Sequence, residues 1–342
     1  MSHDALTQPR AVLGPGQAPD AAIDVVDLVK QFGRNRALNG VTFQVPRGSV
    51  FGVIGPNGAG KTTIMRALLD IIRPTSGHAT VLGTPSRNAG PELRRRIGYL
   101  PGELILEGRT SGRRLLAHYA DISGPVAAGH VHELAERLGF DLDRPVRKLS
   151  KGNKQKLGIV QAFMHQPELL VLDEPTSGLD PLMQQEFLKM VREARDRGQT
   201  VFLSSHVISE IQQAADEVAI LRDGRIVTIN SVEELRTTAI RHLRLVASGI
   251  RPTDLAAALG ALEGVTTLEC TVTPAGDAEA VATLSSEIAP FLQAISTLQL
   301  KDLMLEEPDL EESVLKLYSA PMPAAAAAGL ARHADAQTDV TK

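Results

Sequence analysis

The run Val50-Phe51-Gly52-Val53-Ile54, followed at once by Gly55-Pro56-Asn57-Gly58-Ala59-Gly60-Lys61-Thr62-Thr63, constrains this chain more than any other stretch. Five nearly all-apolar residues read as a strand buried on both faces, which calls for a parallel sheet with helices over both sides. The loop after it fits the spacing G-x-x-x-x-G-K-[ST]. Backbone must approach phosphate closely here, so glycine stands where a Cβ would block the way. The free N–H groups at the start of the following helix, with its dipole, hold the anion. Lys61 is then expected to reach the β- and γ-phosphates, and the Thr62 hydroxyl to take Mg²⁺. With a strand before it and a helix through Leu69 after it, the loop is read as a nucleoside-triphosphate site.

The surrounding sequence supports an α/β chain. Alternation near Ile23–Leu28 and again at 41–45 predicts two further strands. Leu169 to Leu172 is a short apolar strand; Met183, Phe187, Met190, Val191 and Ala194 line one helix face, and 201–203 is the next strand. That order implies a parallel sheet flanked by helices. The runs 218–221 and 225–229, joined at Asp223-Gly224, predict a hairpin. Between about 104 and 165 the pattern is helical, with Val131, Leu134, Ala135 and Leu138 on one stripe closed by Gly139. Beyond 240 the spacing predicts strands over 243–247, 265–273, 280–284 and 298–304, with helices over 253–262, 286–295 and 310–318: a small α+β domain. Residues 1–19 and 321–342 read as loose, low-complexity ends.

Composition excludes several classes. With 342 residues, 43% hydrophobic and 22% charged, the chain has room for one large domain and a smaller one. A formal net charge of −4 is not that of a nucleic-acid binder. The single cysteine, Cys270, rules out an internal disulfide. No stretch approaches the ~20 apolar residues that cross a bilayer, and the N-terminus has no apolar core of signal-peptide length. Work at a membrane would require a partner. Arg94-Arg95-Arg96 and Arg113-Arg114 read most simply as solvated helix faces.

The second chemical feature is Leu169-Leu170-Val171-Leu172-Asp173-Glu174-Pro175. An apolar strand ending in two acids sets carboxylates at the C-terminal edge of a parallel sheet, where such sheets bind ligands. Alone it could be an acidic helix cap. Paired with the phosphate loop, it assigns Asp173 to Mg²⁺ and Glu174 to the attacking water as general base.

Three further elements complete a pattern. Leu149-Ser150-Lys151-Gly152-Asn153 lies between the nucleotide motifs, Ser177-Gly178-Leu179-Asp180 follows the carboxylates, and Ser204-Ser205-His206 ends the next strand. In this order they resemble the ATP-binding cassette (ABC) proteins over most of residues 20–240. The resemblance implies a P-loop NTPase of ABC type, with a mixed sheet, flanking helices and a helical subdomain at about 104–165. The division expected is 20–240 for this domain and 241–320 for the α+β domain. It implies that Gly55 to Thr63 bind ATP and that Phe32 stacks on adenine, although Phe32 also fits a plain core residue. His206 becomes the switch histidine and Asp180 the D-loop acid. Ser150, Lys151, Gly152 and Asn153 form the signature, closing on the γ-phosphate held by the other subunit of a head-to-tail homodimer or heterodimer. Lys151 and Asn153 depart from the usual LSGGQ. A larger departure is Ile97-Gly98-Tyr99-Leu100-Pro101-Gly102-Glu103, where the family places a glutamine touching Mg²⁺. Here Gly102 holds that place, so either the glutamine's task is dispensed with or Glu103 performs it.

The expected activity is ATP hydrolysis coupled to transport, through an integral membrane permease on a separate chain, at the cytoplasmic side of the membrane. The segment Glu307-Pro308-Asp309-Leu310-Glu311-Glu312 and the short C-terminal addition resemble drug- and antibiotic-exporter subunits. Importer subunits are the alternative. A soluble ABC protein acting on ribosomes or DNA is set aside by the single phosphate loop, the lack of sustained heptads and the absence of a basic excess.

Overall fold

The computed structural model describes residues 21–306 apart from 107, 239–240 and 286–287. The chain divides into a unit ending at Asn230 and a second beginning at Ser231. In the first, β1 (Ala21–Phe32) and β2 (Asn35–Pro46) form an antiparallel pair, and from Val41 to Val45 β2 alternates buried and half-buried positions. β3 (Val50–Ile54) is buried at all five positions, as its apolar run requires. After α1 (Lys61–Leu68) the chain forms β4 (Ser76–Val81) and β5 (Thr84–Pro85), which extend the β1–β2 sheet. α2 (Pro91–Arg95) leads into β6 (Ile97–Leu100). The predicted helical region contains α3 (Gly112–Ser123), α4 (His130–Arg137) and α5 (Lys151–Phe163). Then follow β7 (Leu169–Asp173), α6 (Pro181–Asp196), β8 (Thr200–Ser205), α7 (Ile208–Ala214), and the successive strands β9 (Glu217–Arg222) and β10 (Arg225–Ser231).

The larger sheet has six strands in the order β10-β9-β3-β8-β7-β6, and the smaller has four in the order β2-β1-β4-β5. β3, β8, β7 and β6 run parallel to their neighbours, while β1 is antiparallel to β2 and β4. The sheets share one core: Phe43 of β2 stacks on Phe51 of β3 and Phe202 of β8, with centroids 5.6 Å from each. Each buried ring contributes roughly 1.5–3 kcal/mol by loss of water-exposed area. The parallel register sets Ile54 opposite Ser205 and Asp173 opposite Ser204. The loops leaving β3, β7 and β8 therefore emerge at one edge.

The two arginine clusters lie at the surface, and several are paired: Arg96 makes a forked contact with Glu168 at 2.6 and 2.8 Å, and Arg113 with Asp143 at 2.9 and 3.1 Å.

The second unit comprises α8 (Val232–Thr238), β11 (Arg241–Ser248), α9 (Pro252–Gly260), β12 (Val265–Val272), β13 (Ala278–Leu284), α10 (Ile288–Ile295) and β14 (Gln299–Leu305). Its strands form one sheet in the order β12-β13-β11-β14. Leu243, Leu245, Ala280 and Leu284 on the sheet meet Leu255, Leu259, Phe291 and Ile295 on the helices as its own core. The predicted helix over 310–318 lies outside the described residues.

Candidate functional site

At Gly60 the backbone turns through φ +114° to enter α1, a conformation that residues with a Cβ adopt only under strain. A Cβ there would also stand 2.8 Å from the Ala37 carbonyl oxygen. The turn leaves Pro56, Asn57 and Gly58 exposed while burying Ala59, Gly60 and Lys61; Thr62 and Thr63 are half-buried at the first turn of α1. Lys61 is only 6% exposed. Its ammonium donates to the Gly55 carbonyl at 2.6 Å and lies 3.1 Å from Glu174 Oε1. A buried cation needs such partners, and a phosphate entering the loop would compete for the same protons.

Asp173 and Glu174 stand at the end of β7 in different states. Asp173 is 1% exposed; its Oδ1 accepts from the Ser204 hydroxyl at 2.7 Å, while its Oδ2 is buried with no partner. An orphaned carboxylate oxygen in a dry position is costly unless a cation or donor joins it. Glu174 has φ +48°, a strained backbone for a residue with a side chain, costing on the order of 1–3 kcal/mol. Three hydrogen bonds hold it there. Its N–H donates to Ser204 Oγ at 3.0 Å, and Gln155 Nε2 donates to the carbonyls of Glu174 and Pro175 at 3.2 and 2.9 Å. The carboxylate is thereby turned toward Lys61 on one side and His206 on the other, with His206 Nδ1 at 2.5 Å from Oε2. His206 itself is 57% exposed at its side chain.

Gly102 stands beside this group: a Cβ built on it would lie 3.1 Å from Asp173 Oδ2 and 3.3 Å from its carboxyl carbon. Glycine at this position lets the backbone pass close to the free oxygen, a reason for the residue that the sequence did not reveal. Glu103, next in the chain, is exposed. Tyr99 is near enough to feel the site; burial, then the Asp173 carboxylate, push its hydroxyl pKa up against the opposing influence of Arg66.

The segment 150–153, predicted from the resemblance to be the signature, lies at a helix start. Ser150 caps α5, its hydroxyl accepting from Asn153 N–H at 3.3 Å, and α5 begins at Lys151. Ser150 and Lys151 are exposed. A Cβ at Gly152 would stand 2.5 Å from the Gly178 carbonyl oxygen, so the signature and the segment leading to Asp180 pack closely in one chain. Asp180 caps α6 by accepting from Met183 N–H at 3.1 Å. Phe32 is 48% exposed at the end of β1, with Lys30 Nζ 4.7 Å from its ring centroid, so it is not a core residue. The structure thus brings Lys61, Asp173, Glu174 and His206 into one cluster. Gln155 and Glu210, which support that cluster, were not singled out from the sequence, and Ser204 was named only as part of the motif that ends in His206. Ser204 and Ser205 carried a usable signal, being two hydroxyls closing an otherwise apolar strand.

The group described as ABC transporter matches residues 38–177. The chain is similar to the daunorubicin resistance ATP-binding protein DrrA3 of Streptomyces coeruleorubidus, 33% identical over 307 residues that cover 87% of this chain and 96% of that protein. It is 35% identical over 229 residues to the bacitracin transport ATP-binding protein BcrA of Bacillus licheniformis, covering 66% of this chain and 75% of that one. Among solved structures, an ATP-binding subunit of an ABC transporter aligns with a TM-score of 0.58 at 28% identity, over 63% of this chain and 92% of the other. No helix among the described residues is long and apolar enough to cross a membrane.

Proposed function

The chain belongs to the ATP-binding proteins of ABC transporters and hydrolyses ATP, and on that premise we propose that it drives export of a drug or antibiotic through a permease on a separate chain. The observation that carries the export reading is the extent of the likeness to the daunorubicin resistance protein, which takes in the second unit as well as the first. The protein works in this reading as a peripheral subunit at the cytoplasmic side of the membrane.

Each residue of the cluster has a task. The backbone N–H groups of Gly55 to Thr63 and the Lys61 ammonium hold the phosphates, while exposed Phe32 offers its ring to adenine. When ATP arrives, its γ-phosphate draws Lys61 away from Glu174 and leaves that carboxylate to accept a proton from water. His206, paired with the same carboxylate, steadies the γ-phosphate and the water. Mg²⁺ suits the oxygen donors of the Thr62 hydroxyl and the unpartnered Asp173 Oδ2, and when bound it would neutralise charge on the β- and γ-phosphates. Glu103 takes over the link between nucleotide and permease that a longer side chain at 102 provides elsewhere in the family. Ser150, Lys151, Gly152 and Asn153, exposed or half-buried at the start of α5, meet the γ-phosphate bound by a second ATPase subunit, with Asp180 at the same seam.

The test is a cell that depends on the chain for efflux. Lys61→Ala should abolish energy-dependent efflux while the protein still co-isolates with its permease. Undiminished efflux with that variant would remove the chain from the driving role.

A further inference from the structure

Two carboxylates are buried among the described residues: Asp173, whose place is given above, and Glu210, which the hydrolytic scheme does not use. Glu210 is 7% exposed on the first turn of α7. Its Oε2 accepts two hydrogen bonds, from Thr176 Oγ1 and from Ser205 Oγ, each at 2.7 Å. Thr176 is two residues past Glu174, and Ser205 immediately precedes His206. The Ser205 hydroxyl also accepts from Val207 N–H at 2.9 Å, which fixes the backbone on the far side of His206. One carboxylate oxygen therefore ties the loop that carries the general base to the loop that carries its histidine.

We propose that Glu210 is a positioning residue for hydrolysis, clamping the Glu174 and His206 loops together so that the two side chains stay paired. The chemistry favours a carboxylate at this place. Two hydroxyl donors converging on one oxygen form charge-assisted bonds, roughly twice as strong as neutral ones, and in a dry site they hold direction as well as distance. Glu174 sits on strained backbone with its side chain 19% exposed, and the His206 side chain is 57% exposed, so the His206 loop is not held by burial of its own functional side chain. Gln155 restrains the Glu174 loop from the α5 side, through the carbonyls of Glu174 and Pro175. Glu210 joins both. The Glu210 carboxylate is bonded to the hydroxyls of Thr176 and Ser205, so it acts through Glu174 and His206, and the proposal rests on the reading of Glu174 as the base.

Steady-state ATPase kinetics and ATP dissociation constants should be measured for Glu210→Gln, Glu210→Leu, the pair Thr176→Val with Ser205→Ala, and all three changes together. Glu210→Leu should lower kcat by about tenfold or more while the ATP dissociation constant stays within about twofold. An amide oxygen still accepts both hydroxyls, so Glu210→Gln should keep most of the turnover. Adding Glu210→Leu to the double hydroxyl variant should cause no further loss, because all three changes cut one link. A normal kcat in Glu210→Leu, even with a lower melting temperature, overturns the proposal; so does Glu210→Gln failing as badly as the leucine, or losses that multiply. If the leucine variant does not fold, the double hydroxyl variant carries the test alone, and unchanged kcat in it overturns the clamp. Glu174→Gln run in parallel separates the two ideas: if it still turns over, the base assignment fails, whereas a dead Glu174→Gln beside a normal Glu210→Leu removes the clamp only.

Discussion

The edge where β3, β7 and β8 end and the four-stranded sheet of the second unit handle polar groups in opposite ways. At the first, Lys61, Asp173, Ser204, Ser205 and Glu210 are all buried and cross-bonded, and one oxygen, Asp173 Oδ2, is left bare. At the second, charged pairs such as Arg244–Glu279 at 2.6 Å and Lys301–Asp277 at 2.7 Å join side chains of which the basic partners are about half exposed. Buried polar networks are expensive to leave incomplete, and they persist where their geometry serves chemistry. Exposed pairs contribute little and tolerate change. The first region is read as machinery, and the second as a small domain stabilised by its own apolar core.

Substitutions should separate the two regions by size of effect. Ser150→Arg, at the exposed start of α5, should reduce hydrolysis by a hundredfold or more while monomers still bind ATP, because it intrudes on the seam with a second subunit. Sedimentation in ATP should show loss of dimers, and a dimeric, active variant would argue against the head-to-tail arrangement. Gly102→Ala comes next. Its new Cβ would press on Asp173 Oδ2 from 3.1 Å, tighter than ordinary contact. The Mg²⁺ concentration for half-maximal hydrolysis should rise about tenfold; an unchanged Mg²⁺ titration would detach Gly102 from the metal. Arg244→Ala should do least: ATPase activity unaltered and stability lower by about 0.2–1 kcal/mol in denaturant unfolding. A large loss of hydrolysis from that change would mean that the second unit takes part in the chemistry.

Much of the first region could be read from the chain because its constraints are local. Five apolar residues before a glycine loop specify a buried parallel strand, and β3 has the predicted limits of Val50 and Ile54. The carboxylates after Leu172 followed from the same logic, since ligands gather where parallel strands end, whereas the histidine after Ser205 came from the family resemblance. In the second unit the alternating runs gave all four strands within a few residues. What was not legible depends on contacts distant in sequence. β4 escaped because Ser76, Gly77 and His78 are exposed and give no apolar alternation. Gln155 and Glu210 look like ordinary polar helix residues until folding brings them against the Glu174 loop from separate helices. Gly102 read only as the place of a missing glutamine, its task either dispensed with or passed to Glu103, whereas folding sets this glycine so that a Cβ on it would lie 3.1 Å from Asp173 Oδ2.

The whole reading turns on Glu174 as the group that accepts the water's proton. Glu174→Gln keeps the side chain's shape and removes its basicity, so ATP should bind normally while turnover falls by a thousandfold or more. Single-turnover hydrolysis of radiolabelled ATP, followed beside nucleotide binding and dimer formation, measures all three at once. The expected result is bound, unhydrolysed ATP held in an accumulated dimer; near-normal phosphate release from the glutamine variant would take the catalytic role away from Glu174.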